Sequence, residues 1–256
     1  MTGALPRVAS ADGAQPARAA LDRSACGAIE IPRPPLDALP YRAFVAALLG
    51  RQGFRLDFNR LAPDAALAMV SDQLFGPGAY LRDRAALAED IAQLAGFAEA
   101  LAGGRAAIAI RTYFAPGDTV WHLDRVGEAR AFRLLWPIGR RSGMRVTPPG
   151  NIDLALHRAY MRREHPLLGR LDAQVLRTGA DPETLWAHRP QQLAAMRAGD
   201  FPFVRDRALE YEVTPGAASI HRVATPQQPG TYHRASWDNR RAPGLQIVIT
   251  VTADRA

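Results

Sequence analysis

Trp121-His122-Leu123-Asp124 opens the stretch WHLDRVGEARAFRLLWPIGRRSGMRVTP, residues 121–148, which passes from a His-x-Asp triplet through an apolar run to a turn rich in Gly and Pro. Ala131 to Ile138 reads as a β-strand closed by Gly139. If Thr119 to Leu123 is also extended, residues two apart face the same way, so His122 and Asp124 project together while Leu123 points away. An imidazole beside a carboxylate, joined by a distant second His, makes the two-His-one-carboxylate set that holds Fe(II) with positions left open for substrate and oxygen.

Outward from that stretch, short extended runs recur at Ala107 to Phe114 and Met144 to Thr147, and again at Leu209 to Val213, Ala217 to Val223, Thr231 to Ala235 and Leu245 to Thr252. Helical spacing separates the two blocks between Ile152 and Ala198, with Asp181 as N-cap, Pro182 at the first helical position and Pro190 as a break. Helical spacing also precedes them: Tyr41, Phe44 and Leu48, then Leu67, Val70 and Leu74, then Leu87, Ile91, Leu94, Phe97 and Leu101 before Gly103. The organisation expected is a flexible leader over 1–27, a helical region over 28–104 packed on the core, and a strand domain over 105–256 with a helical insert at 151–206. This is an α+β fold whose strands suit a jelly-roll with a helical buttress.

A facial triad needs its third ligand from a late strand. Two residues qualify, His221 in Ser219-Ile220-His221-Arg222-Val223 and His233 in Thr231-Tyr232-His233-Arg234. His157, His165 and His188 fall among charged residues of the insert and are expected on its solvated face. Trp136, Trp186 and Trp237 are read as core or interface residues before pocket residues.

Composition removes several classes of chemistry. The chain of 256 residues carries 32 basic side chains, all Arg, and a formal net charge of +7. Without Lys there is no Walker-type phosphate loop, no Schiff-base nucleophile and no Ser-Lys pair. The arginines are scattered, which argues against a nucleic-acid surface despite the basic balance. Cys26 is the single cysteine, so neither an internal disulfide nor a Cys-rich zinc site is available. No apolar run reaches the ~20 residues of a membrane helix, and a cytoplasmic protein is expected.

Residues 121–148, together with PGTYHRAS (229–236) and the strand LQIVITV (245–251), resemble the central and closing motifs of an uncharacterised bacterial family, domain of unknown function number 1826. More broadly, the order of motifs resembles the double-stranded β-helix, cupin-like oxygenases that use Fe(II) and 2-oxoglutarate. That likeness implies His122, Asp124 and His233 as metal ligands, with molecular oxygen and a small-molecule or peptide as substrates; a homodimer is left open. It also implies an Arg for the cosubstrate's distal carboxylate, a bidentate task. The last strand has none, which leaves Arg133, Arg111 with Tyr113, and Arg241 as candidates. Asp124 favours hydroxylation over halogenation, because its carboxylate fills the position a halide would need. Two other readings stand beside this one: a cupin-like metal enzyme without 2-oxoglutarate, and a non-catalytic Arg-rich binding module. The insert is expected as a lid or wall of the substrate pocket.

Overall fold

In the closing segment LQIVITVTA, the strand Leu245–Ala253, every second residue is large and apolar, and that alternation divides the molecule. Leu245, Ile247, Ile249 and Val251 enter one core, while Gln246, Val248 and Thr250 face the other way. The computed structural model describes residues 5–51, 55–57, 62–112, 114–127, 130–140, 142–241 and 244–253.

The elements in chain order are α1 (Ala14–Arg23), β1 (Ala28–Ile31), α2 (Arg42–Leu49), β2 (Arg55–Asp57), α3 (Pro63–Phe75), α4 (Leu81–Ala102), β3 (Gly104–Arg111), β4 (Ala131–Ile138) and β5 (Arg145–Thr147). They continue with α5 (Leu154–Thr178), α6 (Pro182–Leu185), α7 (Pro190–Ala198), β6 (Tyr211–Glu212), β7 (Ala218–Arg222), β8 (Tyr232–Arg234) and β9 (Leu245–Ala253). The strands form a six-stranded sheet of order β1-β7-β4-β9-β3-β2 and a three-stranded sheet of order β6-β5-β8. All the strand pairs in both are antiparallel.

The outer face of the large sheet is apolar in period two: Ile108 and Ile110 on β3, Phe132, Leu134 and Trp136 on β4, Ile220 on β7, and the odd-numbered residues of β9. The helices α1 to α4 cover it with Leu21, Phe44, Leu67, Leu87, Ile91 and Leu94. Gly103 ends α4 in the left-handed conformation at φ 71°, which a glycine adopts without strain. The inner face meets the small sheet through Leu135, Val146, Val213 and Val248. Among the described residues, no helix is long and apolar enough to cross a membrane.

Several expectations are corrected here. Residues 10–23 are not a flexible leader: they form a 3₁₀ turn and α1, which buries Ala17 and Leu21 because its apolar residues recur at helical spacing against the sheet. The region 28–104 is not purely helical, since it contributes β1 and β2 to the two edges of the large sheet. Thr119 to Leu123 is not a strand; Pro116–Thr119 is a 3₁₀ helix, consistent with Pro116-Gly117 in that run. The insert begins at an Asp153 N-cap, whose carboxylate accepts from the amides of Ala155 and Leu156. Asp181 and Pro182 start α6 as read, and Pro190 starts α7 where the break was expected.

Ile249 lies fully buried on a strand flanked on both sides. Ile249→Ala is expected to lower unfolding free energy by about 2–5 kcal/mol, read as a reduced urea midpoint at unchanged m-value.

Candidate metal centre

His122 and His233 exchange backbone hydrogen bonds, His122 N to His233 O at 3.0 Å and His233 N to His122 O at 3.1 Å. This isolated antiparallel bridge joins the non-strand segment after Thr119 to β8, and brings the ring centroids within 4.3 Å. The segment is fixed further along by Ala235 N donating to Asp118 O (2.7 Å) and Ala224 N donating to Asp124 O (2.8 Å). His122 and Asp124 are therefore turned inward by backbone pairing instead of by a regular strand.

His122, Asp124 and His233 offer ligand atoms that all lie within 4.8 Å of one another. The tautomers are set by backbone carbonyls: Nδ1 of His122 lies 2.8 Å from Val120 O, and Nδ1 of His233 lies 3.1 Å from Thr231 O. A carbonyl can only accept, so each Nδ1 carries the proton and each Nε2 keeps its lone pair. Burial pushes the His233 imidazole well below its ordinary value, which keeps it neutral near pH 7. Two neutral imidazole nitrogens and one carboxylate suit a divalent metal ion, Fe(II) included.

Asp124 is gripped from the large sheet. Nε2 of the fully buried His221 lies 3.2 Å from its Oδ2, and a guanidinium nitrogen of Arg133 contacts its Oδ1. Burial by itself would raise the Asp124 carboxyl, but the His221 hydrogen bond and the Arg133 charge oppose it, and the group is held well below the usual carboxylate range. His221 and His233 thus occupy different places. Only His233 groups with His122 and Asp124 as a ligand donor, whereas His221 stands behind the carboxylate.

A cavity of about 230 Å³ adjoins the cluster between the two sheets, lined by Arg111, Ser219 and Gln246 of the large sheet and by Met144 and Val213 beside the small one. Of the candidate carboxylate binders, Arg133 lines this cavity but is committed to Asp124 and to Thr250 Oγ1, 3.1 Å from its Nε. Arg111 also lines it and sits 3.7 Å from Asp118. Tyr113 lies outside the described residues, as does the Arg241 side chain, whose backbone ends the 3₁₀ helix Trp237–Arg241.

Sequence reading missed Arg140. It lines the cavity, its buried Nε has no hydrogen-bond partner, and burial pushes its guanidinium down to about 10 against the pull of Asp118. A Cβ at Gly244 would lie 2.2 Å from Arg140 Cγ and 2.8 Å from Ile138 O, so that position must stay bare for Arg140 to reach inward. The signal was present only as the pair Gly139-Arg140 opposite Gly244, which no local motif connects.

The insert buttresses the site from behind. α5 packs on residues 116–119, and Gly117 N donates to Asp172 Oδ1 at 2.8 Å. His157, expected on a solvated face, is half-buried, with Nε2 at 2.8 Å from Trp121 O and its ring against Phe203 and Tyr232. His165 and His188 are exposed as expected. Among the described residues none from 151–206 lines the cavity, so the insert does not supply the expected wall there. Trp136, Trp186 and Trp237 are core residues. Cys26 is buried and its thiol is pushed up to about 12, which leaves it unreactive.

No family model matches the chain, and no curated protein matches it. Among solved structures, the chain is similar to the dioxygenase for auxin oxidation of rice, at 13% identity and TM-score 0.48, over 97% of this chain and 83% of that one. It is also similar to dioxygenase for auxin oxidation 1 from Arabidopsis thaliana in a 2-oxoglutarate complex, at 11% identity and TM-score 0.47, over 97% and 92% respectively. Likeness at that level carries nothing about this chain's reaction, which rests on the site's own geometry.

Burial, with Asp118 adding to it, raises the Asp172 carboxyl to about 6, while the hydrogen bond from the Gly117 amide opposes. A folded value above the unfolded one of roughly 3.9 means that the ionised form destabilises the fold once pH rises through that window. Asp172→Asn keeps an acceptor for Gly117 N–H and removes the charge. It should match the native chain near pH 4 and exceed it by up to about 3 kcal/mol above pH 7, measured by urea unfolding across that range.

Proposed function

We propose that the chain is a non-haem Fe(II) oxygenase that uses 2-oxoglutarate to hydroxylate or otherwise oxidise an organic substrate. The observation that carries this reading is the proton arrangement at the cluster: both Nδ1 atoms are bound to backbone carbonyls, leaving two Nε2 lone pairs and the Asp124 carboxylate to face one point. In this reading His122, Asp124 and His233 hold the iron, which when bound supplies the activation of molecular oxygen that no side chain here can perform. The double-stranded β-helix, or jelly-roll, is the architecture that belongs with it, and two facing antiparallel sheets with the site between them support it. The likeness of residues 121–148 to the uncharacterised bacterial family belongs to the same reading.

The chain's own residues perform the remaining tasks. The cavity holds an organic anion against Arg140, the one cavity arginine without a hydrogen bond or ion pair among the described residues. A guanidinium fork at the cavity wall suits a carboxylate, which it can bind bidentately. The Ser142 turn beside it is fixed by Asn239, whose side-chain amide accepts from Ser142 N at 3.2 Å and donates to Ser142 O at 3.0 Å. Arg140 thereby takes the role expected of Arg133, Arg111 or Arg241.

Anaerobic loading with Fe(II), followed by metal analysis and titration with 2-oxoglutarate, tests the assignment. Bound iron, a metal-to-ligand charge-transfer band on titration and succinate formed in air are expected. Asp124→Ala should abolish iron-dependent turnover while the chain still folds cooperatively, and retained turnover would remove Asp124 from the site. Arg140→Met should weaken 2-oxoglutarate about thirtyfold or more while leaving iron content unchanged, because a truncated charge partner costs at least about 2 kcal/mol. Iron that binds without any response to 2-oxoglutarate would point to the cupin-like reading.

A further inference from the structure

Arg133 is held at both ends of its guanidinium. Its cross-strand partner on β9, Thr250, accepts from Nε at 3.1 Å, and Asp124 accepts from the far nitrogen. Its cross-strand partner on β7 is His221, which donates to the other oxygen of the same carboxylate. Neighbouring positions on adjacent strands therefore occupy both oxygens of Asp124 before any ion arrives. The two grips differ in kind: the His221 imidazole meets one carboxylate oxygen through a single ring nitrogen, whereas Arg133 brings a permanent positive charge to the other.

That difference fixes the electrostatics of the centre. A divalent ion held by two neutral imidazoles and one carboxylate leaves a net charge of about +1. With Arg133 on the same carboxylate the local charge rises to about +2. Such a centre disfavours the ion by itself and favours a doubly negative ligand beside it.

We infer that Arg133 is a positioning residue whose charge, acting through Asp124, makes retention of the divalent ion depend on a dianionic ligand in the cavity. This rests on the metal reading above and goes beyond it by assigning an order of assembly: the ion binds weakly to the empty cavity, and the dianion locks it in. Replacing Arg133 leaves Asp124 oriented by His221, so the change isolates charge from geometry.

Mn(II), which binds such donor sets without turning over, is the probe, with affinity measured calorimetrically for Mn(II) alone and for 2-oxoglutarate on the Mn(II)-loaded protein. Arg133→Met and Arg133→Gln should bind Mn(II) alone about ten- to a hundredfold more tightly, the range that outer-shell partners of metal ligands command, and 2-oxoglutarate more weakly by a similar factor. Arg133→Lys should stay near the native values. Affinities that shift opposite ways separate this role from a structural one, which would weaken both. If both shift the same way, if neither changes, or if Arg133→Gln behaves like the native chain while Arg133→Met does not, the inference is wrong and the metal reading stands. If the native chain takes up no divalent ion, the metal reading falls and takes this inference with it. Should Arg133→Met fail to fold, Arg133→Gln and Arg133→Lys give the same contrast.

Discussion

A carboxylate between two sheets has to be compensated on every side, and Asp124 is the point where the two sheets of this fold meet. The large sheet reaches it with His221 and Arg133, and the segment that carries it is bonded by backbone to Ala224, just beyond β7. The small sheet supplies His233, whose Nε2 lies 3.4 Å from Asp124 Oδ2, and whose backbone pairs with His122. Removing His221 or Arg133 would leave a buried charge short of a donor, a costly condition inside a protein. Much of the surrounding structure can be understood as holding these groups at hydrogen-bond distance.

The alternation of the large sheet makes this arrangement compatible with a stable fold. Each inner strand gives one face to the helical layer and the other to the site, so Leu134 and Ile220 serve the core while their neighbours Arg133 and His221 serve Asp124. A slip of one residue in β4 would exchange these roles, burying Arg133 under helices and turning Leu134 toward the carboxylate. The apolar outer face is thus also what fixes the register of the polar inner face. Folding and site assembly depend on the same pattern.

How much of this was legible in the sequence follows from the range of each interaction. Apart from Thr119 to Leu123, the strand runs read after residue 105, with the Gly103 stop, the Asp181-Pro182 start and the His-x-Asp triplet, are local and could be read directly. The pairing of His122 and Asp124 with a late histidine was readable as a need for a third ligand, but not which histidine; in the fold His233 groups with His122 and Asp124, while His221 bonds the carboxylate from β7. What escaped was non-local. Arg140 depends on a bare position at Gly244, and Asp172 on a bare amide at Gly117, pairs separated by about a hundred and 55 residues respectively. The residues read as a leader carry few large apolar side chains, so their helical spacing is weak in the sequence, yet Ala17, Ala20 and Leu21 of α1 are buried on the core.

The cavity's arginines differ in what already satisfies them, and this gives the site its polarity. Arg133 is tied to Asp124 and Thr250, and Arg111 lies against Asp118. Arg140 lines the same space and carries a buried, unpartnered Nε, with burial already lowering its proton affinity. A guanidinium in that position is destabilised without an anion and relieved by one. On the metal reading proposed above, the end of the cavity beside His122, Asp124 and His233 would hold a cation and the Arg140 end would receive an anion. A ligand with negative charge at both ends would satisfy Arg140 and the cation together, which neither an apolar molecule nor a single small anion could do.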